Sequence, residues 1–261
     1  MKDILRQAGV ILSILATIIV NGLANALPIN GLNTGQISDR FKVYFVPAGY
    51  VFSIWGLIYL GLIAYGIYQA LPTQRENPRL RTTGWWIVLG GLANIAWIFL
   101  WHYQVFPLTI LAMLVLLASL IITYLRLGIG RTDVPKTETW LVRVPFSIYL
   151  GWITVATVAN ATSLLDYLNW NAFGLAPETW MVIILAAVLV ISALMSFTRR
   201  DVAYTLVILW ALAGIALKHA AVPAIATPTW ITFALVLLAL AAALFLRRKD
   251  RISKAVPVHH K

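Results

Sequence analysis

The chemistry this chain can offer is concentrated in three short runs of aromatic and amide side chains. Trp55 and Tyr59 stand four residues apart, so on a helix they stack on one face. Asn94, Trp97 and Trp101 follow at spacings of three and four. Tyr149, Trp152, Ala156 and Asn160 also recur every three or four residues, with hydroxyls nearby at Thr154, Thr157, Thr162 and Ser163. If the three faces converge, they make a pocket with flat apolar walls and a few hydrogen-bonding groups, suited to a planar hydrophobic ligand. The same residue types also join helices, with asparagine amides bridging neighbours and aromatics packing on small residues. From the pattern alone both readings stand.

Other chemistry finds little support. There is no cysteine, which removes disulfides, thiolate nucleophiles and cysteine metal sites. No Walker motif, nucleophile–base pair or catalytic carboxylate pair is present, so no catalytic residues and no metal ligands are assigned. His102 lies between Trp101 and Tyr103 at a boundary, where it is either an axial ligand to a tetrapyrrole metal or a solvated interfacial side chain. His219, beside Lys218, poses the same choice, and His259 and His260 lie in the tail.

The elements that must position these residues are membrane helices. The chain is 61% hydrophobic and 11% charged, against about 45–50% and about 25% for a soluble domain. Apolar runs long enough to cross a bilayer, about 20 residues, fall at about 7–27, 49–70, 84–101, 107–125, 144–165, 180–198, 202–217 and 224–245. The first run lacks a cleavage site and reads as an anchor. Asn21 and Asn25, four apart near its end, face protein or a polar cavity rather than lipid. Gly90 and Gly91 allow a close helix neighbour. The connection 28–46 is long, and long loops are often functional.

Eight spans put both termini on one side. On that side lie 17 of the 20 Lys and Arg, with only Arg40, Lys42 and Lys218 opposite. By the positive-inside rule the termini are cytoplasmic, and the net charge of +11 needs no nucleic-acid partner. No span centre carries an ionisable group, which argues against an ion-coupled transporter.

These residues resemble a known family. VPAGYVFSIWGLIY in the second span, NIAW in the third and YLGWITVATVAN in the fifth are similar to the tryptophan-rich sensory proteins, the TspO/MBR family that includes the mitochondrial translocator protein. The fifth-span pattern is the most specific, and it falls on Tyr149, Trp152, Ala156 and Asn160. Departures are Ala48 in place of the second proline of Pro-Pro, Ser53 in place of the proline of Phe-Pro, a three-residue step from Phe52 to Trp55, and Ile148 where a proline precedes the tyrosine. The resemblance covers about 7–165, and 166–261 adds three spans to the usual five.

The resemblance implies an all-α helix bundle with a pocket roofed by the first loop, and a porphyrin, sterol or other flat hydrophobic ligand. It carries the pocket onto Trp55, Tyr59, Asn94, Trp97, Tyr149, Trp152, Ala156 and Asn160. We therefore expect a polytopic transmembrane bundle of about eight spans. It divides into a five-helix domain, 1–165, and a three-helix extension with a basic tail, 166–261. The expected function is a sensor or carrier in the cell membrane that binds a tetrapyrrole-like ligand, with no cofactor required. A small-solute permease, a porphyrin-degrading enzyme and a scaffold are the alternatives. Expected partners are the bilayer and a hydrophobic small molecule, with a homodimer left open.

Overall fold

The computed structural model describes residues 1–27 and 29–255, without the side chains of 247–255. Eight long helices account for the apolar runs: α1 (Lys2–Ala26), α2 (Ile54–Ala70), α3 (Pro78–His102), α4 (Phe106–Arg126), α5 (Val144–Tyr167), α6 (Pro177–Arg199), α7 (Val202–Lys218) and α8 (Pro223–Ala255). A helix satisfies its own backbone groups, as a lipid environment requires. Seven spans are long and apolar enough to cross a membrane, and α7, at 17 residues, is a shorter apolar helix. The expected all-α bundle is therefore the observed one, and no strand occurs among the described residues. The basic tail beyond residue 255, with His259 and His260, lies outside the described residues, as do the side chains of Arg247, Arg248 and Lys249.

Several helices begin earlier than their apolar runs. For α3 the reason is local: the Asn77 side chain accepts the Arg79 N–H at 3.1 Å, and Pro78 occupies the first turn, where its missing N–H costs nothing. A π-helical turn, Thr139–Arg143, leads into α5.

α3 packs between α1 and α4, α5 packs on α4 and α2, and α7 lies against α5. α6 and α8 pack together and close around α7. The glycine pair in α3 serves two neighbours. A Cβ on Gly91 would collide with Ser13 of α1, whereas one on Gly90 would only touch Ser119 of α4, at 3.4 Å. α1 thus approaches α3 at a distance that requires glycine at position 91.

The connection between α1 and α2 is ordered by its own short helix, Thr34–Ser38. Asn33 and Gln36 form a capping box, each side-chain oxygen accepting the other's backbone N–H at 2.9 Å. This connection lies over one end of the bundle and roofs the site described next.

Candidate ligand site

The site is built from α2, α3 and α5, with the first loop above them. Trp55 and Tyr59 stack at 5.5 Å between ring centroids, as their spacing predicts. Trp55 also meets Tyr149 at 5.9 Å and Trp152 at 6.3 Å, both edge to face. Phe52 meets the other side of Trp152 at 5.6 Å. These rings make one continuous aromatic wall, in geometries that aromatic quadrupoles favour.

Beyond Trp152 lies a small cavity of about 50 Å³. Trp97, Trp152, Ala156 and Asn160 line it from the helices, and Thr34, Ser38, Val46 and Pro47 close it from the loop. Trp97 stacks on Trp101 at 5.2 Å with the planes 18° apart. Phe41 of the loop packs on Trp101 at 5.7 Å and on Phe106 at 4.9 Å.

Two hydrogen-bond chains fix these walls. In the first, Asn21 Nδ2 of α1 donates to Asn94 Oδ1 at 2.6 Å, and Asn94 Nδ2 donates to the Tyr149 hydroxyl at 3.1 Å. In the second, Trp97 Nε1 donates to Asn160 Oδ1 at 3.2 Å, and Asn160 Nδ2 donates to Thr109 Oγ1 of α4 at 2.9 Å. Asn21, Asn94 and Asn160 are 1–3% exposed. Amides at that depth must be paired, since an unpaired one costs about 1–3 kcal/mol. The Trp152 indole N–H is the exception: it is buried and has no partner.

The eight residues singled out by the sequence are thus brought together, in three positions. Trp97, Trp152, Ala156 and Asn160 face the cavity. Trp55, Tyr59 and Tyr149 form the wall behind Trp152. Asn94 stands behind Tyr149, away from the cavity, and joins helices. Helix joining is seen at Asn94 and Asn160, and Asn160 also lines the cavity with Trp97, Trp152 and Ala156.

His102 takes neither of its expected roles. It is fully buried, its Nε2 lies 3.1 Å from Thr34 Oγ1 and its Nδ1 lies 3.1 Å from the Ile29 carbonyl. Both nitrogens hold the loop, so neither is free for a metal. Among the described residues no cluster of His, Asp or Glu could hold a metal ion.

The loop is also held from the other side, by groups that sequence reasoning missed. Tyr44 donates its hydroxyl to Glu178 of α6 at 3.0 Å, and this bond raises its pKa. His219 Nε2 lies 3.2 Å from the Tyr44 carbonyl, with the two rings edge to face at 5.3 Å. Lys218 pairs with Asp39 at 2.8 Å. The Ala48 N–H donates to the Gly214 carbonyl at 3.3 Å, and Trp210 Nε1 donates to the Val51 carbonyl at 3.1 Å. Two of the C-terminal helices, α6 and α7 with the residue that ends it, therefore latch the roof. Only the aromatic and basic types of Tyr44 and Lys218 could have pointed to this, and neither has a periodic signal.

No curated protein and no solved structure is similar enough to this chain to count as a match. A family model described as TSPO-like protein matches residues 7–244, so the match runs past α5 and takes in α6, α7 and most of α8. On that match, the chain belongs to the TSPO-like protein family.

Proposed function

We propose that this membrane protein is a sensor or carrier that binds a flat hydrophobic ligand of the porphyrin or tetrapyrrole kind beneath the first loop. The observation that carries the reading is an aromatic-lined cavity under a latched roof, one of whose walls is Trp152, a residue with an orphaned indole N–H. A buried donor without a partner costs free energy, and a ligand with an acceptor edge would repay that cost. Trp55, Tyr59, Trp97 and Trp152 would supply stacking surface, and Ala156 the gap between walls. Tyr149, Asn94 and Asn160 would hold the walls in register.

At about 50 Å³ the cavity is far below the several hundred Å³ a drug-sized ligand needs. The proposal therefore requires the loop to lift, with the latch from α6 and α7 setting how readily it does. On this reading residues 1–165 are the binding domain and 166–261 are the extension that controls its roof. The excess of basic residues at the termini side supports cytoplasmic termini in the cell membrane.

The test is to titrate the purified protein in detergent with protoporphyrin IX and follow tryptophan fluorescence. Saturable quenching at micromolar concentration, weakened about tenfold in Trp152→Leu and less in Asn94→Ala, supports the site. Non-saturating quenching equal in all three folded proteins overturns it. Loss of porphyrin absorbance under light, abolished in Trp152→Leu, would move the reading from carrier to turnover.

A further inference from the structure

A second, larger concavity lies away from the aromatic site. We propose that the groove between α2, α5 and α7 holds one anionic phospholipid, taken from the leaflet on the side of the basic loops. The groove has a volume of about 1180 Å³, ample for a lipid chain and headgroup. Leu57, Ile148, Leu206 and Trp210 line its walls. Leu57 and Leu206 are 52% and 53% exposed, so the walls present apolar surface that an acyl chain would cover.

The mouth is cationic. Arg131, Arg143, Arg199 and Arg200 line it against two carboxylates, Asp133 and Asp201. Asp201 is spent inward. It is buried, and it accepts from Tyr124 Oη at 2.8 Å, Ser147 Oγ at 2.6 Å and the Tyr204 N–H at 3.1 Å. The backbone brings the arginines together. Gly130, at φ 73°, lies so close to the Arg199 carbonyl that a Cβ there would collide with it. Arg200 ends α6 in the left-handed region at φ 54°. The 127–133 turn and the α6–α7 turn are thereby pressed into one rim.

A second observation also points to an anion. Arg143 is 7% exposed, and its terminal nitrogens donate to the Leu127 and Thr132 carbonyls and to Thr132 Oγ1. Its Nε is buried with no partner, on a side chain that lines the groove. A buried guanidinium N–H without an acceptor is costly, and phosphate oxygens match guanidinium donors in geometry and charge. Basic pockets between membrane helices bind anionic headgroups for this reason. The apolar walls that continue from the mouth favour a lipid over a free anion. Trp140, 68% exposed at the rim, is placed as an interfacial anchor.

The test is native mass spectrometry of the delipidated protein titrated with dioleoyl phosphatidylglycerol, dioleoyl phosphatidylcholine and inorganic phosphate. Phosphatidylglycerol should bind about tenfold more tightly than phosphatidylcholine. Arg131→Gln should weaken it about fivefold, as expected for one basic residue near a headgroup. Leu206→Trp should weaken both lipids by filling the groove, with Leu57→Trp on the facing wall as the substitute if that variant misfolds. Lys136→Gln, exposed and outside the groove, should change nothing. Equal affinity for the two lipids, or no response to Arg131→Gln, overturns the proposal. Displacement of phosphatidylglycerol by millimolar phosphate would also overturn it, and make the mouth a free-anion site.

Discussion

The two concavities of this molecule are built on opposite principles. The cavity beneath the first loop is small and enclosed by walls that side-chain hydrogen bonds between α1, α3, α4 and α5 hold together. The groove beside α7 is more than twenty times larger, is open along an apolar wall, and ends in charge. Both contain an unsatisfied buried donor, Trp152 Nε1 in one and Arg143 Nε in the other. An interior site is closed by its own amide network, and opening it means moving a latched loop. The groove has no roof to move. If both proposals hold, one hydrophobic compound is held under control and another by simple partition from the bilayer.

The largest expected effect tests whether the two regions are separable. Asp201→Ala removes a buried N-cap carboxylate and leaves Tyr124 and Ser147 without an acceptor. It should destabilise the protein by about 3 kcal/mol, read by unfolding in detergent. Porphyrin quenching in the folded fraction should be unchanged, and a parallel loss would show that the two regions act as one. Trp152→Phe keeps an aromatic ring but deletes the orphan donor together with part of the buried indole. The void left by the smaller ring lowers stability by about 1 kcal/mol, partly offset by loss of the unpaired donor, while porphyrin affinity falls. Unchanged porphyrin affinity would mean that the N–H does not meet the ligand.

Tyr44→Phe releases the latch at Glu178. A partly exposed hydrogen bond of this kind contributes roughly 0.5–1 kcal/mol, and its loss should speed ligand entry in stopped-flow quenching with little effect on the lipid groove. The smallest effect is that of pH. Burial, then the charge of Lys218, holds the His219 pKa below its ordinary value. The folded state therefore binds fewer protons than the unfolded one. Stability from this site is complete above the ordinary value of about 6.5 and is lost as pH falls through it. The thermal midpoint should drop between about pH 7 and 5, and the drop should shrink in His219→Gln.

What could be read from the sequence was whatever has a period. Apolar runs gave each helix, including the short α7, because hydropathy needs no partner. The three or four residue spacing of Tyr149, Trp152 and Asn160 put them on one face. Of the two asparagines expected to face protein, Asn21 does, whereas Asn25 is exposed and bonds back to its own helix. The latch was invisible for the opposite reason. Tyr44 and Glu178 are 134 residues apart, and Lys218 and Asp39 are 179 apart. Contacts between a loop and distant helix ends carry no local pattern. Asp201 did carry a local signal, an N-cap residue type directly before an apolar run. Its burial against Tyr124 and Ser147 follows only from the packing of α4, α5 and α7. His102 was misplaced because a histidine beside two aromatics at a helix end looks interfacial, whereas the loop covers it.

The brevity of α7 has a consequence for the membrane itself. Its 17 residues extend about 26 Å at 1.5 Å each, against a hydrocarbon core of about 30 Å. The helices packed along it, α5, α6 and α8, are longer, whereas α2 across the groove has the same 17 residues, so the shortfall is local to the side where α7 meets the groove. A span this short would draw the polar turn at its end, with Arg199 and Asp201, toward the depth of the acyl chains. Lipids there must dip to meet it, at a cost of a fraction of a kcal/mol per Å of mismatch. The protein should therefore reside at lower cost in thin bilayers than in thick ones. Membrane thickness then becomes a variable to which this fold responds, without any ligand changing.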